Sequence, residues 1–166
     1  MSLEQLNHAD PAAASELLRQ CCSSESWIRR LVDARPFVST VALSAAANEA
    51  WHGLDEADYL QAFGGHPKIG DVGSLKASYA NTKKLAAGEQ AAVATAGDDV
   101  IEALADANTR YEDKFGFIFI VCATGKSALQ MLNLLRDRLP NSRDEELTNA
   151  AEEQRKIFQL RLEKLL

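Results

Sequence analysis

Phe115-Gly116-Phe117-Ile118-Phe119-Ile120-Val121-Cys122-Ala123 is the most hydrophobic stretch of the chain, and the fold class turns on it. By propensity these aromatic and β-branched residues form a buried strand. A lone strand leaves its backbone amides and carbonyls unpaired, however, and the rest of the sequence offers no second strand candidate. The stretch is therefore expected to be a buried irregular or short helical segment around 115–123, within an all-α chain.

Outward from this segment the sequence reads as helices. Downstream, 127–139 has helical spacing, Pro140-Asn141 breaks it, and 144–165 forms a long terminal helix. Upstream, Ile101, Leu104, Ala105, Ala107 and Tyr111 recur at helical spacing over 100–114, with Gly97-Asp98 as the cap. Asp10-Pro11 starts a helix over 12–22, with Asp as N-cap and Pro at the first helical position. Trp27, Ile28, Leu31 and Val32 define an amphipathic helix over 24–34, which Arg35-Pro36 ends. An alanine-rich helix over 38–52 and shorter ones over 56–63, over 74–85 and from Glu89 complete the pattern. No repeat, linker or low-complexity segment divides it, so one compact multi-helix domain is expected over 1–166.

Composition narrows the function classes. Hydrophobic residues make up 46% and charged residues 25%, an ordinary globular balance. The net charge of −6 argues against nucleic acid or an anionic membrane surface as partner. No apolar run approaches the roughly 20 residues that span a bilayer. Met1-Ser2-Leu3-Glu4-Gln5 carries no leader pattern and Glu163-Lys164-Leu165-Leu166 no peroxisomal address, so a bacterial cytoplasm is expected. Cys21, Cys22 and Cys122 have neither zinc nor disulfide-framework spacing and read as small buried apolar residues in a reducing compartment.

Gly64-Gly65-His66-Pro67-Lys68-Ile69-Gly70-Asp71 is the leading candidate for chemistry. Pro67 fixes its own φ and biases His66 away from the helical region, while the flanking glycines permit a tight bend and close approach of a ligand. An imidazole, with an ordinary pKa of about 6.5, suits proton transfer near neutrality. The same residue can also serve as a hydrogen-bonding turn histidine. His8 and His52 lie on helical segments, and three histidines with no i, i+4 pairing and no carboxylate cluster make no metal site. Glu89-Gln90 follows Gly88 at a helix start, where an acid complements the helix dipole or partners His66, beside an amide able to bind a heterocycle. Arg161, between Leu160 and Leu162, either pairs with Glu153 or Glu163 or clamps a substrate carboxylate. Lys68 adds positive potential or is simply solvated. Gly125-Lys126-Ser127 imitates the end of a phosphate-binding loop, but Ile120 stands where that loop needs its first glycine.

Several segments in order, covering nearly the whole chain, make the sequence resemble the OHCU decarboxylase family, which acts on 2-oxo-4-hydroxy-4-carboxy-5-ureidoimidazoline in urate breakdown. They are Cys21-Cys22-Ser23-Ser24-Glu25-Ser26-Trp27, Arg35-Pro36-Phe37, His66-Pro67-Lys68-Ile69-Gly70-Asp71, Glu89-Gln90, Tyr111 to Ala123, and Leu160-Arg161-Leu162. Lys68 departs from the acid that some members carry after His-Pro. The resemblance implies an all-helical domain, usually a homodimer, that needs no cofactor and acts on a small ureidoimidazoline. It implies His66 as catalytic acid/base, Glu89 as its carboxylate partner and Arg161 as the substrate-carboxylate anchor. Pro67 and Gln90 would line the pocket, and backbone groups of Ile118, Phe119, Ile120 and Val121 would bind the ring and ureido group.

Two other readings stay open on the residues alone. One is a non-catalytic helical module that binds a partner groove. The other is a related cofactor-free lyase or isomerase acting on another ureido or imidazole acid. The His-Pro turn at His66, Glu89-Gln90 and a buried arginine favour an enzyme, since a binding module would not need them to converge, and product analysis separates the two chemistries.

Overall fold

Short polar side chains set most helix starts. Ser2, Asp10, Ser24, Ser39, Asp55 and Ser127 each accept a hydrogen bond from the backbone amide three residues on. The computed structural model describes residues 1–66 and 97–166. Among these residues the regular structure is helical: α1 Leu3–His8, α2 Pro11–Arg19, α3 Glu25–Ala34, α4 Thr40–Trp51, α5 Glu56–Gly64, α6 Gly97–Phe115, α7 Ala128–Arg138 and α8 Arg143–Leu165. None of these helices is long and apolar enough to cross a membrane. The helices expected over 74–85 and from Glu89 lie outside the described residues.

The chain divides into two compact units, the first being Met1–His66 with Thr148–Leu166 and the second lying within Pro67–Leu147. In the first, α1 to α5 and most of α8 bury Leu6, Leu18, Trp27, Ile28, Leu31, Leu43 and Phe158. The indole of Trp27 packs 4.9 Å from the Phe158 ring, and Trp51 meets both Tyr59 and Phe158 edge-on. Their polar edges are satisfied as well: Trp27 Nε1 donates to the Ala47 carbonyl and Trp51 Nε1 to that of Ala151, each at 3.0 Å. Arg35 fastens α1, donating to the carbonyls of Leu6 and Ala9 at 2.9 and 2.6 Å.

In the second unit α6 and α7 pack together, and residues 118–123 run between them as irregular backbone. Gly116, at φ 81°, ends α6 in the left-handed region where only glycine is unstrained. Phe117, Phe119 and Ile120 are buried, with Tyr111 ringed by Phe115, Phe117 and Phe119 at centroid distances of 4.5, 6.0 and 5.2 Å. The backbone groups that a neighbouring strand would have paired find side chains instead. Arg138 Nη1 donates to the Ile120 carbonyl at 2.8 Å, and Lys126 Nζ to that of Cys122 at 2.6 Å. A buried irregular segment is thus what forms, and no strand occurs among the described residues.

Some boundaries differ from expectation. α1 was not foreseen; it is held by a reciprocal capping box between Ser2 and Gln5. α4 starts at Thr40 rather than 38 because Ser39 is its cap, and His52 lies just past its end in extended conformation. Gly97 opens α6 from inside the helix instead of preceding it. Lys126 donates to the Cys122 carbonyl and Ser127 caps α7.

Candidate active site

α5 delivers His66. Its last turn tightens, with Gly65 N donating to the Ala62 carbonyl and His66 N to that of Phe63, both at 3.2 Å. His66 therefore sits in a turn just beyond the helix, as the following proline demands. Gly65 has ordinary right-handed helical backbone, so positive φ is not why it is glycine. A Cβ there would lie 2.1 Å from Ser23 Oγ and 2.6 Å from Ser23 Cβ. Close approach of the Cys21-Cys22-Ser23-Ser24 loop excludes any side chain at position 65, which ties that loop to the histidine turn.

α8 supplies what the imidazole touches. His66 Nε2 lies 2.5 Å from Oε1 of Gln154, a fully buried side chain. Arg161 follows Gln154 by seven residues, two helical turns along one face, and donates to the Cys21 carbonyl at 3.4 Å. The His66 pKa lies below its ordinary value. Burial is the main cause and the Arg161 charge adds to it, while the Gln154 hydrogen bond acts in the opposite sense. A ring so placed is a neutral imidazole at neutral pH, able to take up a proton. Arg161 is half-buried, and of the acids considered as its partners Glu153 pairs with Lys156 at 2.7 Å. Burial pushes the thiols of Cys21 and Cys22 up to about 11 and about 12, which removes them as nucleophiles. Cys122 is buried too, and none of the three forms a disulfide.

Of the residues singled out by sequence, His66 and Arg161 fall in the first unit. Ile118, Phe119, Ile120 and Val121 fall in the second, where Arg138 already holds the Ile120 carbonyl. Pro67, Glu89 and Gln90 lie outside the described residues. Sequence reading passed over Gln154 altogether. Its only signal was register, four residues before Phe158 and seven before Arg161, on the stripe that α8 buries. It also passed over the buried group in the second unit, where Glu146 accepts from Tyr111 Oη at 2.6 Å, Arg138 Nε at 2.7 Å and Asn141 Nδ2 at 3.0 Å.

Comparison with known proteins places the chain among relatives of known kind. The uric acid degradation bifunctional protein TTL of Arabidopsis thaliana is 34% identical over 145 residues, covering 87% of this chain and 45% of that protein. The chain thus spans less than half the length of that relative. The 2-oxo-4-hydroxy-4-carboxy-5-ureidoimidazoline decarboxylase of Halalkalicoccus jeotgali is 26% identical over 99% of this chain and 92% of its own. Among solved structures, that of OHCU decarboxylase in the presence of (S)-allantoin superposes with a TM-score of 0.71 at 32% identity, covering 91% of this chain and 96% of the other. The family model for OHCU decarboxylase matches residues 7–163. That span takes in His66, Gln154 and Arg161 together with the irregular segment, and the chain belongs to the OHCU decarboxylase family.

Proposed function

We propose that this chain decarboxylates 2-oxo-4-hydroxy-4-carboxy-5-ureidoimidazoline to (S)-allantoin in urate breakdown, without a cofactor, as one domain over 1–166. The observation that carries the reading is that one helix, α8, brings both a carboxamide anchor and the Arg161 charge to a half-buried, neutral His66. The substrate carries its carboxylate on a carbon that also bears a hydroxyl and adjoins an imine. When the bond to the carboxylate breaks, its electron pair forms a carbon–carbon double bond and the imine nitrogen takes a proton, so no external electron sink is needed. The resulting enol loses its hydroxyl proton, the neighbouring carbon gains one from a single face, and (S)-allantoin results.

In this reading Arg161 holds the carboxylate out of the ring plane, using a planar fork that a lysine cannot copy. His66 and Glu89 move the protons, a role typically worth about 10²–10⁴-fold. Pro67 and Gln90 line the pocket, and backbone groups of Ile118, Phe119, Ile120 and Val121 bind the ring and ureido group. Orientation in a closed pocket adds up to roughly 7–11 kcal/mol at the ideal limit. The protein acts as a homodimer, for which the exposed Val38, just before the α4 cap, and Val41, in its first turn, offer apolar surface to a second copy. Its buried, unbridged cysteines suit a reducing cytoplasm.

Circular dichroism during urate oxidation, with uricase and the hydrolase that follows it, tests the reaction. The intermediate decays on its own to racemic allantoin, so a lasting (S)-allantoin signal reports this chain. His66→Ala should abolish that signal and leave the helical spectrum intact. Racemic product at the spontaneous rate with the wild-type chain would reject the proposal.

A further inference from the structure

We propose that Gln154 is a positioning residue whose buried carboxamide oxygen holds His66 as the Nε2-protonated tautomer, so that Nδ1 is the nitrogen that exchanges a proton with substrate. The inference rests on the decarboxylase reading and goes beyond it, since it says which ring atom reacts.

A carboxamide oxygen can only accept, so the 2.5 Å contact between Gln154 Oε1 and His66 Nε2 requires the proton to be on Nε2. With Nε2 engaged, a neutral ring has its lone pair on Nδ1. The other half of the same amide points to a functional reason for this glutamine. Gln154 Nε2 is buried and has no hydrogen-bond partner among the described residues. A buried donor left unsatisfied is destabilising. Gln154 lies four residues before Phe158, on a stripe of α8 that also buries Ala150 and Leu162. A buried carboxamide with its oxygen on the candidate catalytic ring has the signature of a group that orients that ring. Arg161, on the same face of α8, is the charged group that bears on His66 among the described residues. Its positive charge disfavours a second proton on the ring and so maintains the neutral tautomer that Gln154 selects.

The test uses the full chain, with ¹⁵N-labelled histidine, at neutral pH. In the wild type, His66 Nε2 should show the shift of a protonated ring nitrogen and Nδ1 that of a bare one. Gln154→Met removes the acceptor at nearly constant volume. It should shift the tautomer ratio by roughly fivefold toward Nδ1–H, the value of one ordinary hydrogen bond. It should also lower kcat by about tenfold or more in the folded protein, a larger loss than the modest fall in urea midpoint expected from one missing hydrogen bond. Gln154→Glu keeps an acceptor on Nε2, so it should retain the tautomer, recover part of kcat and move the acid limb of the pH–rate profile upward. A bare Nε2 in the wild type, the arrangement expected if the amide were reversed, would overturn the proposal. So would a Gln154→Met protein with unchanged tautomer or kcat, or one whose activity falls only as its stability does. If the wild-type chain leaves allantoin racemic, the decarboxylase reading is lost, yet the ring-nitrogen shifts of the free protein still decide the tautomer.

Discussion

Replacing Arg138 by methionine removes one partner of a buried ion pair and leaves the other in place. Glu146 is fully buried and Arg138 only 13% exposed, with Nε and Oε1 2.7 Å apart. Breaking such a pair is expected to cost about 3–5 kcal/mol, because the remaining carboxylate loses the Arg138 guanidinium without regaining water. Tyr111 and Asn141 still donate to Glu146, which places the expected loss near the lower end, about 3 kcal/mol. The Ile120 carbonyl loses its donor in the same step. Set against a total stability of roughly 5–15 kcal/mol, this is a large fraction. With a urea m-value of about 1–3 kcal/mol per molar, the far-UV dichroism midpoint should fall by roughly 1–3 M. Adding Glu146→Gln removes the buried charge that Arg138 had faced and keeps an acceptor for Tyr111, so the double variant should be more stable than Arg138→Met alone. A single variant within about 0.5 M of wild type, or a double variant no better than the single, would refute the reasoning.

Three further outcomes follow from the His66 cluster. Arg161→Lys should raise KM markedly while leaving the denaturation midpoint nearly unchanged, because a point charge cannot reproduce the planar fork; an unchanged KM would count against the anchor role. Gly65→Ala should destabilise by about 1–3 kcal/mol through its clash with Ser23, and Ser23→Gly in the same chain should recover most of that loss in a thermal melt. His66 has a lowered pKa in the folded state, so the unfolded chain takes up the proton first as pH falls below about 6.5, and stability declines through that window. Between about pH 7.5 and 5 the wild-type urea midpoint should therefore drop more than that of His66→Gln, and equal drops would contradict the assignment.

What the sequence made legible was whatever local chemistry decides. Ser24 before Trp27, Ile28 and Leu31 fixes α3, and Asp10-Pro11 fixes α2. The helical reading of the whole also survived its hardest point, the apolar run at 115–123. There the argument from absent strand partners outweighed β propensity, and Arg138 and Lys126 turned out to serve its carbonyls. α1 escaped notice because it has six residues and depends on its capping box more than on an apolar stripe. Gln154 escaped because Glu152, Glu153, Arg155 and Lys156 surround it with charge, and residue type alone does not reveal which glutamine a helix turns inward. The Arg138–Glu146 pair was invisible for a similar reason: both lie in polar stretches on opposite sides of the break at Pro140-Asn141, and only tertiary packing brings them together.

Both tryptophans of the chain, Trp27 and Trp51, are buried in the first unit, and the described part of the second has none. Nature has in effect labelled one half of the protein. Indole emission follows the unit that carries His66 and Arg161, while far-UV dichroism sums the helices of both. Superimposable transitions from the two signals would mean that the units melt as one cooperative body. Divergent transitions, most readily provoked by Arg138→Met, would let each unit's stability be read separately without attaching a dye.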